Sequence, residues 1–239
     1  MIMSSSLETV QANLQAVHER ITKAARVAGR DPRSVALLAV SKTFPPDAII
    51  AAHSAGQRAF GENYVQEALD KIERLHELGS GLEWHFIGPI QSNKTRVIAE
   101  HFDWVQSVDR LKVAQRLSEQ RPPGLPPLNV LLQVNISGEA SKSGVEPASV
   151  ESLAREVARL PRLRLRGLMA IPEPDNDPVR QRAPLAATRA LFERLRGQGL
   201  AIDTLSMGMS ADLEAAVLES STMVRIGTAI FGERQRKHA

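Results

Sequence analysis

Apolar residues gather into eight short runs along this chain: Val35–Ser41, Gln57–Phe60, Trp84–Ile87, Trp104–Ser107, Val130–Val134, Leu165–Ile171, Thr204–Met207 and Met223–Ile226. Between the runs, apolar positions recur with helical period. Strand and helix therefore alternate along the whole chain, which predicts parallel strands joined by crossover helices. Eight such units in 239 residues match the roughly 250 residues of a (β/α)8 barrel. The pattern predicts a single α/β domain over residues 1–239, a TIM barrel with one extra helix at its N-terminus. In that fold the chemistry sits where the strands end. Lys42 ends the first strand, and Arg225, Gly227 and Thr228 end the eighth. First and eighth strands are neighbours once the barrel closes, so the two ends of the sequence are expected to meet in one site.

The extra helix is Leu7–Ala28, with Leu7, Val10, Leu14, Val17, Ile21 and Ala25 on one stripe and Gly29 as its stop. It precedes the first strand, and is expected to pack outside the barrel or over one end. Further helices are expected from Asp47, from near Asn63, after Ser92, after Asp109, over Ala148–Leu160, over Arg182–Gly197 and over Ala211–Ser220. Asn63 with Gln66 reads as a capping box, and Asp109 and Ser210 as N-caps. Pro172–Pro178 is the most breaker-rich stretch, and predicts a mobile loop.

Composition narrows the class. The hydrophobic fraction of 43% suffices for a core, and with only 4% aromatics that core is aliphatic. Thirty basic and 27 acidic side chains leave a net charge of +3. The basic residues are scattered, without the clustered stripe of a nucleic-acid binder. The tail Arg234–His238 reads as a solvated terminus. With no cysteine, disulfides, thiolate metal sites and cysteine nucleophiles are excluded. The histidines lack metal-ligand spacing. The N-terminus has no signal core, and no apolar run approaches the ~18 residues of a membrane span. A soluble cytoplasmic protein is the expectation.

Three places carry candidate chemistry. Lys42, at the barrel mouth, can be desolvated enough to free its amine for imine formation; lysines just past a strand are also common as plain surface residues. In Ser206–Met207–Gly208–Met209–Ser210, Gly208 permits a tight turn, and Ser210 is placed to open a helix whose free N–H groups favour an anion. In Val224–Gly232, Gly227 and Thr228 can offer two backbone N–H groups and a hydroxyl. Loops after strands seven and eight are where barrels commonly hold phosphate. With Lys42, these features suggest a phosphorylated carbonyl compound held by its phosphate and bonded through an imine. Pyridoxal phosphate meets that description; so does a sugar phosphate in an aldolase. Arg225 suits a partner for the pyridine nitrogen of the former. His85 reads as a core histidine, Lys94 as solvated, and Lys142, beside Glu139, as a loop lysine able to close over a ligand.

Several motifs together resemble a known family. Val40–Ser41–Lys42, Phe60 through Glu67, Trp84 through Lys94, Gly167 through Ala170, Ser206 through Ser210 and Val224 through Gly232 are similar, in order and along almost the whole chain, to signatures of the YggS-type pyridoxal phosphate homeostasis proteins. That family is related to the barrel domain of alanine racemase, the fold-type III pyridoxal phosphate enzymes. The resemblance implies pyridoxal 5'-phosphate as cofactor, with Lys42 as the imine lysine and Arg225 facing the ring nitrogen. It implies Gly227, Thr228 and Ser210 at the phosphate, Ser206 as a helper, and Asn63 and Met207 near the cofactor. The chain departs from many members in carrying Phe44 where they have a second lysine.

The resemblance also implies a cofactor carrier or buffer in intracellular homeostasis, without strong catalytic turnover. Candidate recipients are apo pyridoxal-phosphate enzymes; no nucleic acid or membrane partner is implied. A fold-type III racemase and a lysine-imine aldolase are the alternatives. Racemases append a β-domain, whereas this chain ends just past the eighth strand, so a monomer is the expectation. A racemase also needs an acid–base group on each substrate face, commonly a tyrosine, and the chain has only Tyr64.

Overall fold

β-Branched and aliphatic residues build a parallel strand at each expected place: β1 Ala36–Val40, β2 Ala59–Glu62, β3 Glu83–Phe86, β4 Trp104–Val108, β5 Leu128–Val134, β6 Leu163–Ala170, β7 Thr204–Ser206 and β8 Met223–Ile226. The structure is a computed structural model and describes residues 2–138, 143–175 and 177–233. The strands close in sequence order, with β8 pairing back onto β1 through Leu38 opposite Arg225 and Ala39 opposite Ile226. Glu139, Lys142 and the tail Arg234–His238 lie outside the described residues.

Helices cover the strands: α1 Ile2–Val27, α2 Pro46–Ser54, α3 Val65–Arg74, α4 Thr95–His101, α5 Leu111–Gln120, α6 Val150–Val157, α7 Pro178–Gly197, α8 Leu213–Leu218 and the single turn α9 Thr228–Phe231. Helix α1 packs outside the barrel against α2, α8 and α9. It is pinned there by Arg20, whose guanidinium forks onto Glu214 at 2.7 and 2.8 Å. Asn13 donates to the Ile230 carbonyl at 2.9 Å. Most of the apolar core lies between strands and helices. Inside the barrel a smaller cluster of Trp104, Leu131 and Met169 shares the space with four buried polar side chains, His85, Gln106, Ser206 and Arg225. No helix among the described residues is long and apolar enough to cross a membrane.

Several boundaries differ from expectation, for local reasons. β2 starts two residues later than its apolar run: the Gln57 backbone N–H is still bonded to the Ala52 carbonyl of α2 at 3.0 Å, while its side-chain amide bonds the carbonyls of Leu37 and Ala59 at 2.9 and 2.7 Å. Its end at Glu62 is the expected one, and that polar residue finds a buried partner in Lys71. The Asn63–Gln66 capping box does not form: α3 follows Tyr64 without a side-chain cap, and Gln66 bonds Asp70 instead. Asp109 does not cap α5; it pairs with Arg110 at 2.6 Å. α6 is preceded by a 3-10 turn over Pro147–Ser149 and stops at Val157. α7 begins at Pro178, four residues before Arg182, because Asp177 accepts from the N–H groups of Val179 and Arg180 and proline suits the first helical turn. Ser210 does not cap α8 either. The helix starts at Leu213 after Asp212, whose carboxylate bends back to the Met209 N–H at 2.6 Å.

Candidate cofactor site

At the carboxyl ends of β1 and β8 the barrel opens into a cavity of about 270 Å³. Lys42, Asn63, Ser210, Arg225, Gly227 and Thr228 all line it. Six of the eight residues singled out in the sequence thus meet in one place, although Lys42 and Thr228 stand far apart in the chain. A second cavity of about 260 Å³ adjoins it, sharing Asn63, Ile87 and Ile171. A larger one, about 540 Å³, opens between Trp84, Phe102 and Arg121 near the strand starts, and holds none of the predicted residues.

The other two predicted residues lie elsewhere. Ser206 is buried beneath the cavity, where its hydroxyl accepts from Arg225 Nη1 at 2.8 Å. Met207 does not line the cavity. Strand alternation turns Ser206 into the barrel, so Met207 faces outward, fully buried in the core against the helices. Met209, two residues on, lines the cavity in its place.

Charge defines the cavity. Its lining carries two cations, Lys42 and Arg225, and no carboxylate. Burial pulls the Arg225 guanidinium down to about 10, against an opposing pull from Asp212. A second guanidinium bond, from Nη2 to the Ala170 carbonyl at 2.9 Å, fixes its plane. The buried Asn63 Oδ1 has no hydrogen-bond partner among the described residues.

Two glycines shape the loops after β7 and β8. Gly208 has φ +97°, and a Cβ there would meet Ala216 Cβ at 2.5 Å, so the β7 loop can turn back only with glycine. At Gly227 a Cβ would press on the Val40 carbonyl at 3.1 Å, so glycine lets this turn lie against β1. Gly227 opens α9, and the first N–H groups of a helical turn have no carbonyl partner within it.

The backbone at Lys42 is held from outside the barrel by a cluster that sequence reasoning missed. Lys71, buried on α3, donates to the Ser41 carbonyl at 2.8 Å, to Glu62 at 2.7 Å and to Glu67 at 2.6 Å. Glu62 also accepts from the Ser41 hydroxyl at 2.6 Å. Glu67 accepts the Thr43 N–H at 2.5 Å, where Thr43 stands at φ 69°. Burial raises the Glu62 carboxyl above its ordinary range, and Lys71 opposes that shift. The only sequence signal was the Glu67–Lys71 spacing of four on a helix, which ordinary surface pairs share. Phe44 packs its ring on Phe231 with centroids 5.1 Å apart, tying the β1 loop to α9.

The sequence signature of the family described as "Alanine racemase, N-terminal domain" matches residues 12–235. A Pseudomonas aeruginosa protein named "Pyridoxal phosphate homeostasis protein" is 63% identical over 95% of this chain and 97% of its own length. An Escherichia coli K12 protein of the same name is 58% identical over 95% of this chain and 98% of its own. The chain belongs to the family of pyridoxal phosphate homeostasis proteins. Among solved structures, PipY of Synechococcus elongatus PCC7942, described with PLP bound, superposes with a TM-score of 0.79 at 38% identity. The match covers 90% of this chain and all of PipY (100%). The family match spans all eight strands of the barrel.

Proposed function

We propose that this protein holds pyridoxal 5'-phosphate in the β1/β8 cavity and serves intracellular cofactor homeostasis as a carrier or buffer. The observation that carries this reading is the cavity's charge: two cations, Lys42 and Arg225, with no carboxylate, beside the Gly227 turn. That lining suits a dianionic phosphate joined to an electrophilic carbonyl. The unpartnered Asn63 Oδ1 and the close approach permitted by Gly227 fit the same group. The names of the family members above support it.

When bound, the cofactor supplies an aldehyde that bonds reversibly to amines and a ring that draws off electrons. Lys42 would provide the amine of the covalent anchor. Arg225 would face the ring nitrogen, already a donor and so unsuited to protonating it. Gly227, Thr228 and Ser210 would hold the phosphate, with Asn63 on the remaining polar edge. Ser206 acts through Arg225.

A carrier is favoured over a racemase or aldolase by what the cavity lacks. No histidine, tyrosine or carboxylate is among its lining residues, so Lys42 has no acid–base counterpart on the opposite face. Tyr64 is 57% exposed and His85 is buried. The protein is read as a cytoplasmic monomer of one domain that passes cofactor to apo enzymes.

The test is the visible spectrum of the purified protein before and after borohydride, followed by peptide mapping. A yellow protein whose cofactor is fixed to the Lys42 peptide is expected. A colourless protein that takes up no cofactor overturns the function, and a label on Lys94 or Lys142 overturns the site.

A further inference from the structure

An unbroken chain of side-chain hydrogen bonds crosses the barrel interior from Arg225 to the amino-terminal end. Arg225 Nη1 donates to Ser206 Oγ at 2.8 Å. Ser206 Oγ donates to Gln106 Oε1 at 2.7 Å. Gln106 Nε2 meets His85 Nδ1 at 2.9 Å, with Met223 Sδ at 3.2 Å beside it. His85 Nε2 meets Glu83 Oε1 at 2.7 Å. Between the two ends, Ser206, Gln106 and His85 are buried, while the Glu83 side chain is 47% exposed at the start of β3.

The proton inventory permits one direction. Arginine only donates, so Ser206 Oγ accepts and its single proton goes to Gln106 Oε1. The Gln106 amide then presents N–H to His85, so Nδ1 accepts and Nε2 carries the proton given to Glu83. The reverse order would set a bare Nε2 lone pair against the carboxylate at 2.7 Å. A cation at one end and an anion at the other polarise every bond in the same sense, which strengthens each. Arg225 takes no carboxylate partner among the described residues; its bonds go to Ser206 and Ala170. The Ser206 side of the guanidinium is therefore held only through this chain.

We propose that Gln106 and His85 are positioning residues that keep Arg225 aimed at the cavity, and that Glu83, at the far end of the barrel, sets the direction of the chain by fixing the His85 tautomer. Its effect on cofactor rests on the function proposed above; the tautomer does not.

The test has two arms. In the protein stripped of cofactor, the imidazole ¹⁵N shifts of His85 are expected to report one neutral Nε2–H tautomer in wild type and a mixture in Glu83→Ala. In protein titrated with pyridoxal phosphate, Gln106→Leu is expected to weaken binding about tenfold, the worth of roughly one ordinary hydrogen bond, and to shift the visible maximum. Glu83→Ala is expected to shift that maximum too, and Glu83→Gln, which keeps an acceptor, to restore it. A merely structural role would lower the melting temperature and leave the spectrum alone. An Nδ1–H tautomer in wild type overturns the proposal, as does an unchanged tautomer and spectrum in Glu83→Ala. Should Gln106→Leu fail to fold, the half-exposed Glu83 variants decide. If wild type takes up no cofactor, the proposed function falls and the ¹⁵N arm still judges this inference.

Discussion

The Lys71 ammonium reaches in from α3 to the carbonyl of Ser41, at 2.8 Å, the residue before Lys42. With Glu67 holding the Thr43 N–H on the other side, the proposed cofactor lysine sits between two anchored neighbours. A left-handed conformation at Thr43 (φ 69°) costs a β-branched residue energy. The charged cluster outside the barrel offsets that cost and sets the direction in which Lys42 leaves β1.

Lys71→Met removes the cation and leaves Glu62 buried without its partner. Breaking a buried pair in this way costs about 3–5 kcal/mol. Urea unfolding is expected to show that loss, together with weaker cofactor uptake as the Thr43 turn relaxes. A loss under about 1 kcal/mol, in the range of an exposed pair, would argue that the cluster is not the anchor.

The Gly227 turn is expected to provide most of the non-covalent hold on phosphate. A charge-assisted hydrogen bond is worth roughly 1.5–3 kcal/mol, so Thr228→Ala should raise the Kd for pyridoxal phosphate about tenfold or more. Gly227→Leu should do worse, since the added Cβ would press on the Val40 carbonyl at 3.1 Å. Titration with pyridoxal is the control. Equal affinities for pyridoxal and its phosphate would remove the phosphate from this turn.

Phe44 and Phe231 join the loop after β1 to the turn after β8 at 5.1 Å. An aromatic pair contributes about 0.5–1.5 kcal/mol beyond its burial. Phe44→Ala should therefore loosen α9 and speed cofactor release by a few-fold, read by stopped-flow transfer to an apo acceptor enzyme. Unchanged release would make the pair a contact without consequence for the site.

These features differ in how they could be seen beforehand. Alternation of apolar runs and helical spacing made the barrel legible, because strand period and helix period are written locally. Lys42, Arg225, Gly227 and Thr228 were legible because barrel topology alone brings the ends of β1 and β8 together. Met207 was misplaced by one step of strand alternation, which needs the strand's register and not its composition. Asn63 and Ser210 read as caps; their neighbours Tyr64 and Asp212 precede the helices instead. Gln106 and Lys71 gave almost no signal. A buried polar side chain is recognised by its partners, and apart from Glu67 on the same helix, theirs come from other strands and loops.

The His85 N–H, above all, holds the Glu83 carboxyl below the usual carboxylate range, against burial, which pushes it up. The folded chain therefore binds that proton less readily than the unfolded one. Glu83 contributes stability that is present above the ordinary carboxylate pKa and is lost as pH falls through the lowered value. Glu83→Gln cannot show this loss. The stability gap between wild type and Glu83→Gln, measured by urea unfolding, should be widest near neutrality and close on acidification below about pH 4. A gap that widens in acid would reverse the sign and contradict the bond.

Loaded protein is expected to leave amino acids unchanged at any rate an enzyme would need. Proton removal and return on opposite substrate faces require two groups, each within hydrogen-bond reach. Lys42 could serve as one after release from the cofactor. The cavity lining offers no histidine, tyrosine, aspartate or glutamate for the other. His85 is committed to Gln106 and Glu83 inside the barrel. Arg225 keeps its protons and cannot act as a base near neutrality. An arginine facing the ring nitrogen also leaves the ring a weaker sink for the electrons of a carbanion. The discriminating measurement incubates loaded protein with each common L-amino acid in heavy water and follows α-proton exchange and chirality. Exchange far slower than ~1 per second, the low end of ordinary turnover, is expected for all of them. Turnover at or above that rate, abolished in Lys42→Ala, would replace the carrier with a racemase and require a second acid–base group brought in by movement of the loops around the mouth.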